Sequence, residues 1–254
     1  MRYILHLALI LLLLGACSGE DDAFKDKTPP SKPVLIPHLG DTGDAPIEID
    51  ENVMMEITDD NNGLDAVPDG HKLRLMWEPF IDTDLSHLKI FRFSDVDTTV
   101  VEIANIQPNT TQYTDNGPLV EREWYSYFVE LFDTSGNSAV SDTVTYSLLA
   151  KASLIAPVDG AFVSTDNLRF YWNRADDRVG FYRVLLWNES NELLWHGDKY
   201  LATEDDPLWL QLPILTPPIP VGRTLRWRVD YFDWSEEHQM YMGSESEERI
   251  FTTI

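Results

Sequence analysis

From residue 31 onward, apolar residues recur at alternate positions over short runs, and Gly, Pro, Asn or Asp close each run. Leu73-Arg74-Leu75-Met76-Trp77 alternates up to a tryptophan before Glu78-Pro79, and Leu88-Lys89-Ile90-Phe91-Arg92 begins eleven residues after Trp77. Tyr125-Ser126-Tyr127-Phe128-Val129-Glu130-Leu131 repeats the rhythm, followed by the turn residues Asp133-Thr134-Ser135-Gly136-Asn137-Ser138. A period of two is that of a strand with one buried face. Beyond the N-terminus no stretch keeps three-four spacing for three helical turns. Many short alternating runs bounded by turn residues predict an all-β sandwich architecture.

The pattern occurs twice. Leu154-Ile155-Ala156-Pro157 echoes Val34-Leu35-Ile36-Pro37, and Leu168-Arg169-Phe170-Tyr171-Trp172 echoes the first tryptophan strand. Tyr182 to Leu186 follows ten residues later, and Leu225 to Tyr231 matches Tyr125 to Leu131 at a spacing of 100. About 100 residues make one sandwich, so two are expected in tandem, over 33–149 and 150–254. Ala150-Lys151-Ala152 between them is short and lacks glycine, which predicts modules held end to end. Pro37 to Trp77 spans 40 residues against 15 from Pro157 to Trp172, so the first module carries an insertion over about 40–70. Within it, Ile47-Glu48-Ile49 and Met54-Met55-Glu56-Ile57 suit a small hairpin.

The first series resembles the fibronectin type III module in its bacterial form. The matching features are Trp77 ahead of a proline, the alternating strand after it, Leu119 six residues before Tyr125, and the Asp-x-x-Gly-Asn turn ahead of a Ser-rich last strand. The resemblance covers residues 31–149 and implies that Tyr125 forms a tyrosine corner, its hydroxyl tied to upstream backbone. The second module holds Leu225 at that position; it is fibronectin-like or immunoglobulin-like, without the corner.

The N-terminus follows a different pattern. Arg2 precedes an apolar run of eleven residues, Ile4 to Leu14, and then Leu14-Gly15-Ala16-Cys17. Eleven residues fall short of the ~20 that cross a bilayer but suit the apolar region of a secretory signal. The Leu-Gly-Ala-Cys tail resembles the lipobox of bacterial lipoproteins. That resemblance implies a signal peptide over 1–16, cleavage before Cys17, a diacylglycerol thioether on its sulfur and a palmitate-like acyl chain on the new amine. Cys17 is the sole cysteine of the chain, so no internal disulfide competes for it. Two or more acyl chains make a durable anchor where one does not. Residues 17–32, polar and proline-rich, are expected to be a loose tether. Ser18 after the cysteine resembles outer-membrane sorting, and the acidic Glu20-Asp21-Asp22 resembles a surface-export signal. The implied location is therefore the cell envelope, in either leaflet of the outer membrane.

Charge narrows the partners. Without Arg2 the remaining chain holds 43 acids against 18 Lys and Arg, a net charge of −25. Such a surface repels phosphate backbones and argues against nucleic-acid binding. No nucleophile elbow, phosphate loop, His-Glu-x-x-His or dinucleotide fingerprint occurs, and the histidines at 38, 71, 87, 196 and 238 lack ligand spacing. The expectation is a non-enzymatic protein with no cofactor beyond its covalent lipid. Asp59, Asp60 and Asp65 form a weak calcium candidate outside EF-hand register, since Gly63 at the sixth place puts Thr58 at the first.

Binding surfaces are the better prospect. If Leu88, Ile90, Tyr125, Tyr127, Val129 and Leu131 point inward, alternation turns Phe91, Phe93, Phe128 and Phe132 outward. Phe91, Phe128 and Phe132 then share one outer sheet face, free for a partner or covered by the second module or the insertion. Six of the eight tryptophans lie in the second half. Trp172 and Trp227 fit core positions; Trp187 falls on an outward phase beside Arg226 and Arg228; Trp195, Trp209 and Trp234 lie near loops or strand ends. Exposed indoles suit sugar stacking or protein contacts. A protein or glycan partner is expected through these aromatic residues, and a passive envelope spacer is the alternative.

Overall fold

A computed structural model describes residues 26–36, 70–178, 181–200, 208–238 and 240–254, together with two short strands, β1 (Glu48–Asp50) and β2 (Val53–Met54). These two pair antiparallel, so the insertion holds a hairpin tighter than its sequence pattern indicates. The first module continues with β3 (Leu73–Met76), β4 (Leu85–Ser94), β5 (Val101–Ile106), β6 (Gln112–Asp115), β7 (Trp124–Asp133), β8 (Ser138–Val140) and β9 (Val144–Ser147). The second consists of β10 (Ser153–Ala156), β11 (Ala161–Val163), β12 (Arg169–Asn173), β13 (Phe181–Trp187), β14 (Leu193–Tyr200), β15 (Trp209–Gln211), β16 (Thr224–Ser235), β17 (Met240–Glu245) and β18 (Arg249–Thr253). No helix occurs among the described residues, and none is therefore long and apolar enough to cross a membrane.

Each module is a sandwich. In the first, β3 pairs with β6 and Leu35 bridges Trp77, while the facing sheet runs β5-β4-β7-β8 with β9 also on β7. In the second, β10-β12-β15 faces β11-β18-β16-β13-β14, with β17 on the far end of β16. Alternation fills both interiors. Leu73, Leu75, Trp77, Leu88, Ile90, Tyr127, Val129 and Leu131 are essentially inaccessible, as are Phe170, Trp172, Tyr182, Val184, Trp227 and Val229 in the second module. Each such aliphatic side chain contributes roughly 1.5–3 kcal/mol by leaving water. The indole N–H of Trp77 donates to the Thr110 carbonyl at 2.8 Å. Those of Trp172 and Trp227 have no hydrogen-bond partner among the described residues.

The tyrosine corner forms: the Val120 amide donates to the Tyr125 hydroxyl at 2.8 Å. A second device recurs in both modules. Ser141 closes on Val129, with its amide 2.9 Å from the carbonyl and its hydroxyl 3.0 Å from the amide; Ser246 does the same with Val229 at 2.9 and 2.9 Å. A serine oxygen thus replaces a backbone carbonyl where the last strand breaks, and the duplication extends to this detail.

Part of the expected tether lies along the first module. Pro30 and Pro33 are buried, Ser31 bonds to Asp82 through its amide at 3.1 Å, Lys32 meets Asp142 at 2.6 Å, and the Asn137 side chain donates to the Asp26 carbonyl at 3.0 Å. Proline rings supply the apolar area that composition alone discounted.

The modules meet through a built joint. Trp124 packs into the core of the second module and stacks on His238, ring centroids 4.2 Å apart. Leu148 bridges Gly243, the Leu149 amide donates to the Gly243 carbonyl at 2.9 Å, and the Ser244 hydroxyl donates to the Ala150 carbonyl at 2.6 Å. Arg122, in the left-handed region at φ 66°, reaches across to Asp176 at 2.8 Å and Asp233 at 3.1 Å. Tyr231 donates to the other Asp176 oxygen at 2.9 Å. Burial alone would lower the Arg122 pKa and raise that of Asp176, but their pairing reverses both, so the guanidinium goes up and the carboxyl goes down.

Candidate binding surfaces

On the first module, β4 and β7 run antiparallel with His87 opposite Phe132, Lys89 opposite Glu130, Phe91 opposite Phe128 and Phe93 opposite Ser126. Their inward neighbours fill the core, so these side chains all stand on the outer face. Phe91 and Phe128 stack with centroids 4.9 Å apart and planes 13° apart; His87 and Phe132 stack at 4.5 Å and 4°. Lys89 lies 5.6 Å from the Phe132 ring centre while pairing with Glu102 at 3.0 Å. The rings are half-buried. The structure thus sets Phe91, Phe128 and Phe132 on one outer face as two stacked pairs, Phe91–Phe128 and His87–Phe132, with Lys89 and Glu130 between them; His87 has the same outward phase, but the sequence pattern does not single it out.

The cation inside this module is structural. Arg92 shares the inward phase with Ile90 and pairs with the buried Asp115 at 2.7 Å, which also accepts from the Tyr127 hydroxyl at 3.0 Å. Burial, reinforced by that carboxylate, pushes the Tyr127 phenol far up, so it remains a donor.

The second module treats its tryptophans differently. Trp187 has the outward phase expected of it, yet only 2% of it is exposed. Arg226 and Arg228 lie 4.9 and 5.2 Å from its ring centre, and Arg228 pairs with Asp230 at 2.9 Å and Glu245 at 2.6 Å. Burial would strip charge from Arg228, but the two carboxylates outweigh it and raise its pKa. Trp187 is therefore the apolar filling of a layer of ion pairs and no open platform. Trp195 stacks against the core residue Phe170, centroids 5.7 Å apart, and its indole occupies the space that a Cβ at Gly197 would need. It too belongs to packing. Trp209 stands on the outer face of β15, half-buried, beneath Arg169 at 4.3 Å and 6.4 Å from Tyr171. Trp234 lies on β16, and its side chain is outside the described residues.

The calcium candidates Asp59, Asp60 and Asp65 also lie outside the described residues. Among those described, Asp26, Asp84 and Asp133 bring carboxylate oxygens within 4.8 Å of one another. Asp133 is already engaged, accepting from the Asn137 amide at 2.8 Å and its side chain at 2.7 Å. Desolvation would raise its pKa, but these donors hold the carboxyl below its usual range. Its geometry is that of a hairpin cap.

No known protein family matches the chain, and no curated protein is similar to it. A solved structure titled for the FN1-FN3 domains of chicken CNTN1 is similar over 72% of this chain at 12% identity, with a TM-score of 0.35. This chain spans 62% of that one. The fold assignment rests on the strand pairing itself: two sandwiches of the fibronectin or immunoglobulin kind in tandem.

Proposed function

We propose that this protein is a lipid-anchored component of the bacterial cell envelope that binds a partner without catalysis. Two supports differ in kind. The lipobox-like Leu14-Gly15-Ala16-Cys17 supports the anchor, with cleavage before Cys17 and placement in the outer membrane. The tandem sandwich fold suggests a binding or adhesion role, and the partly exposed ring pairs Phe91–Phe128 and His87–Phe132 on one outer face are the observation that carries it. Stacked aromatic pairs on a sheet face offer rigid apolar contact area, and phenylalanine is among the residues enriched at interfaces.

A passive spacer is the second reading, favoured by the joint at Arg122, Trp124 and Gly243, which resists bending between the modules. Labelled palmitate fed to the producing cell tests the anchor: incorporation should vanish in Cys17→Ala. Cross-linking on intact envelopes tests the rest. A binder loses its cross-linked partner when Phe91 and Phe128 both become serine, whereas a spacer keeps the same neighbours.

A further inference from the structure

The outer face of the β10-β12-β15 sheet carries a different chemistry. Phe170 and Trp172 turn inward, so Arg169, Tyr171 and Asn173 of β12 turn outward, with Trp209 and Gln211 beside them on β15. Tyr171 lies opposite Trp209 and Arg169 opposite Gln211, while the Asn173 amide donates to Ser153 of β10 at 2.9 Å.

Three observations point to one kind of ligand. First, the Arg169 guanidinium lies over the Trp209 ring, 4.3 Å from its centre. Stacked there it is pre-ordered, and its in-plane N–H groups remain available for a two-pronged bond to a carboxylate. Second, Arg169 is exposed and has no carboxylate within ion-pair distance among the described residues; Arg178 and Arg249 have none either, but Arg169 alone of the three lies over an aromatic ring among the described residues. None of the outward residues just named on this sheet is acidic, in a chain with 43 Asp and Glu. Third, beyond Gln211, whose amide meets Asn167 at 3.3 Å, a groove of about 390 Å³ is lined by Asn167, Gln211, Leu212, Pro213 and Ile214 and also by Asp166, whose carboxylate keeps an acidic group at the Arg169 end of the face. The partly exposed Tyr171 ring, flanked by planar amides, suits a pyranose: the sugar's C–H face stacks on the ring and neighbouring hydroxyls bond to the amides.

We propose that this face binds an acidic polysaccharide, a chain of uronic acid residues. The net charge of −25 opposes any polyanion at long range, so binding depends on the local contact at Arg169, stacked on Trp209 among uncharged neighbours on the sheet. Tyr171 stacks on a sugar ring, Arg169 pairs with its carboxylate, and Trp209 holds the guanidinium flat. The site is on a different module from the stacked phenylalanine pairs and is independent of them.

Calorimetry on the lipidated full chain in detergent tests the proposal, with a hexasaccharide of guluronic acid and a neutral glucose hexasaccharide as probes. The uronate hexamer should bind saturably and at least tenfold tighter than the neutral one. Arg169→Gln, at an exposed position, should weaken it about tenfold with an unchanged melting temperature, and Tyr171→Ala, which also loses a partly buried ring, should weaken it about tenfold at a temperature where the variant is still fully folded. Phe91→Ser with Phe128→Ser should leave it unaltered. Absence of saturable binding, equal binding of the two hexamers, or indifference to Arg169→Gln and Tyr171→Ala would overturn the assignment.

Discussion

Removing the stacked rings of the first module one at a time distinguishes a surface from a core. Phe91 and Phe128 are half-buried and stack at 4.9 Å. The stack is worth about 0.5–1.5 kcal/mol. Most of the roughly 1.5–3 kcal/mol for full burial of such a side chain adds about 1–2 kcal/mol. Phe91→Ala and Phe128→Ala are therefore each expected to cost about 1.5–3.5 kcal/mol. The double variant should cost less than the sum by about the stacking energy, ~0.5–1.5 kcal/mol. Leu88→Ala, three residues before Phe91 on the inward face and fully inaccessible, should cost about 2–5 kcal/mol. Urea unfolding of residues 17–254, read from the shift in midpoint at constant slope, gives all four numbers. If the two phenylalanine variants lose as much as Leu88→Ala, or the cycle shows no coupling, the face is covered and does not present a stacked pair to solvent.

Two further outcomes follow from the joint and the corner. Tyr125→Phe deletes the acceptor of the Val120 amide and should lower stability by about 0.5–1.5 kcal/mol, seen as a lower urea midpoint with an unchanged circular dichroism spectrum; no loss would mean the corner bond is idle. Asp176 is held below its ordinary pKa by Arg122, the Arg178 amide and Tyr231 against the opposing effect of desolvation. A depressed carboxylate contributes stability present above its unfolded pKa of about 3.9 and lost as pH falls through the folded value. Unfolding measured from pH 6 down to 2 should weaken below about pH 4, and Asp176→Asn should flatten that dependence; an identical slope in the variant would refute the clamp.

Alternation alone placed most of the fold. The inward set Leu88, Ile90, Tyr125, Tyr127, Val129 and Leu131 and the outward set Phe91, Phe128 and Phe132 follow from a period of two, because successive side chains of a strand point to opposite faces. The duplication was equally legible, since a repeat needs only correspondence along the chain, and the tyrosine corner was readable from the spacing of Leu119 and Tyr125. The lipobox-like end is a matter of sequence from start to finish. Exposure was another matter. Trp187 and Phe91 share an outward phase, yet one lies in a layer of ion pairs and the other stands half open. Phase is a local property of the backbone, but exposure depends on what reaches that face from elsewhere. Glu245 comes to Arg228 from seventeen positions away, and Asp176 comes to Arg122 from 54. The same holds for Arg169 and Trp209, forty residues apart and joined only once β12 and β15 pair. Sequence determined which side of each strand is apolar; only tertiary structure decided which outward faces meet water, because that depends on contacts between segments whose separation along the chain carries no periodic signal.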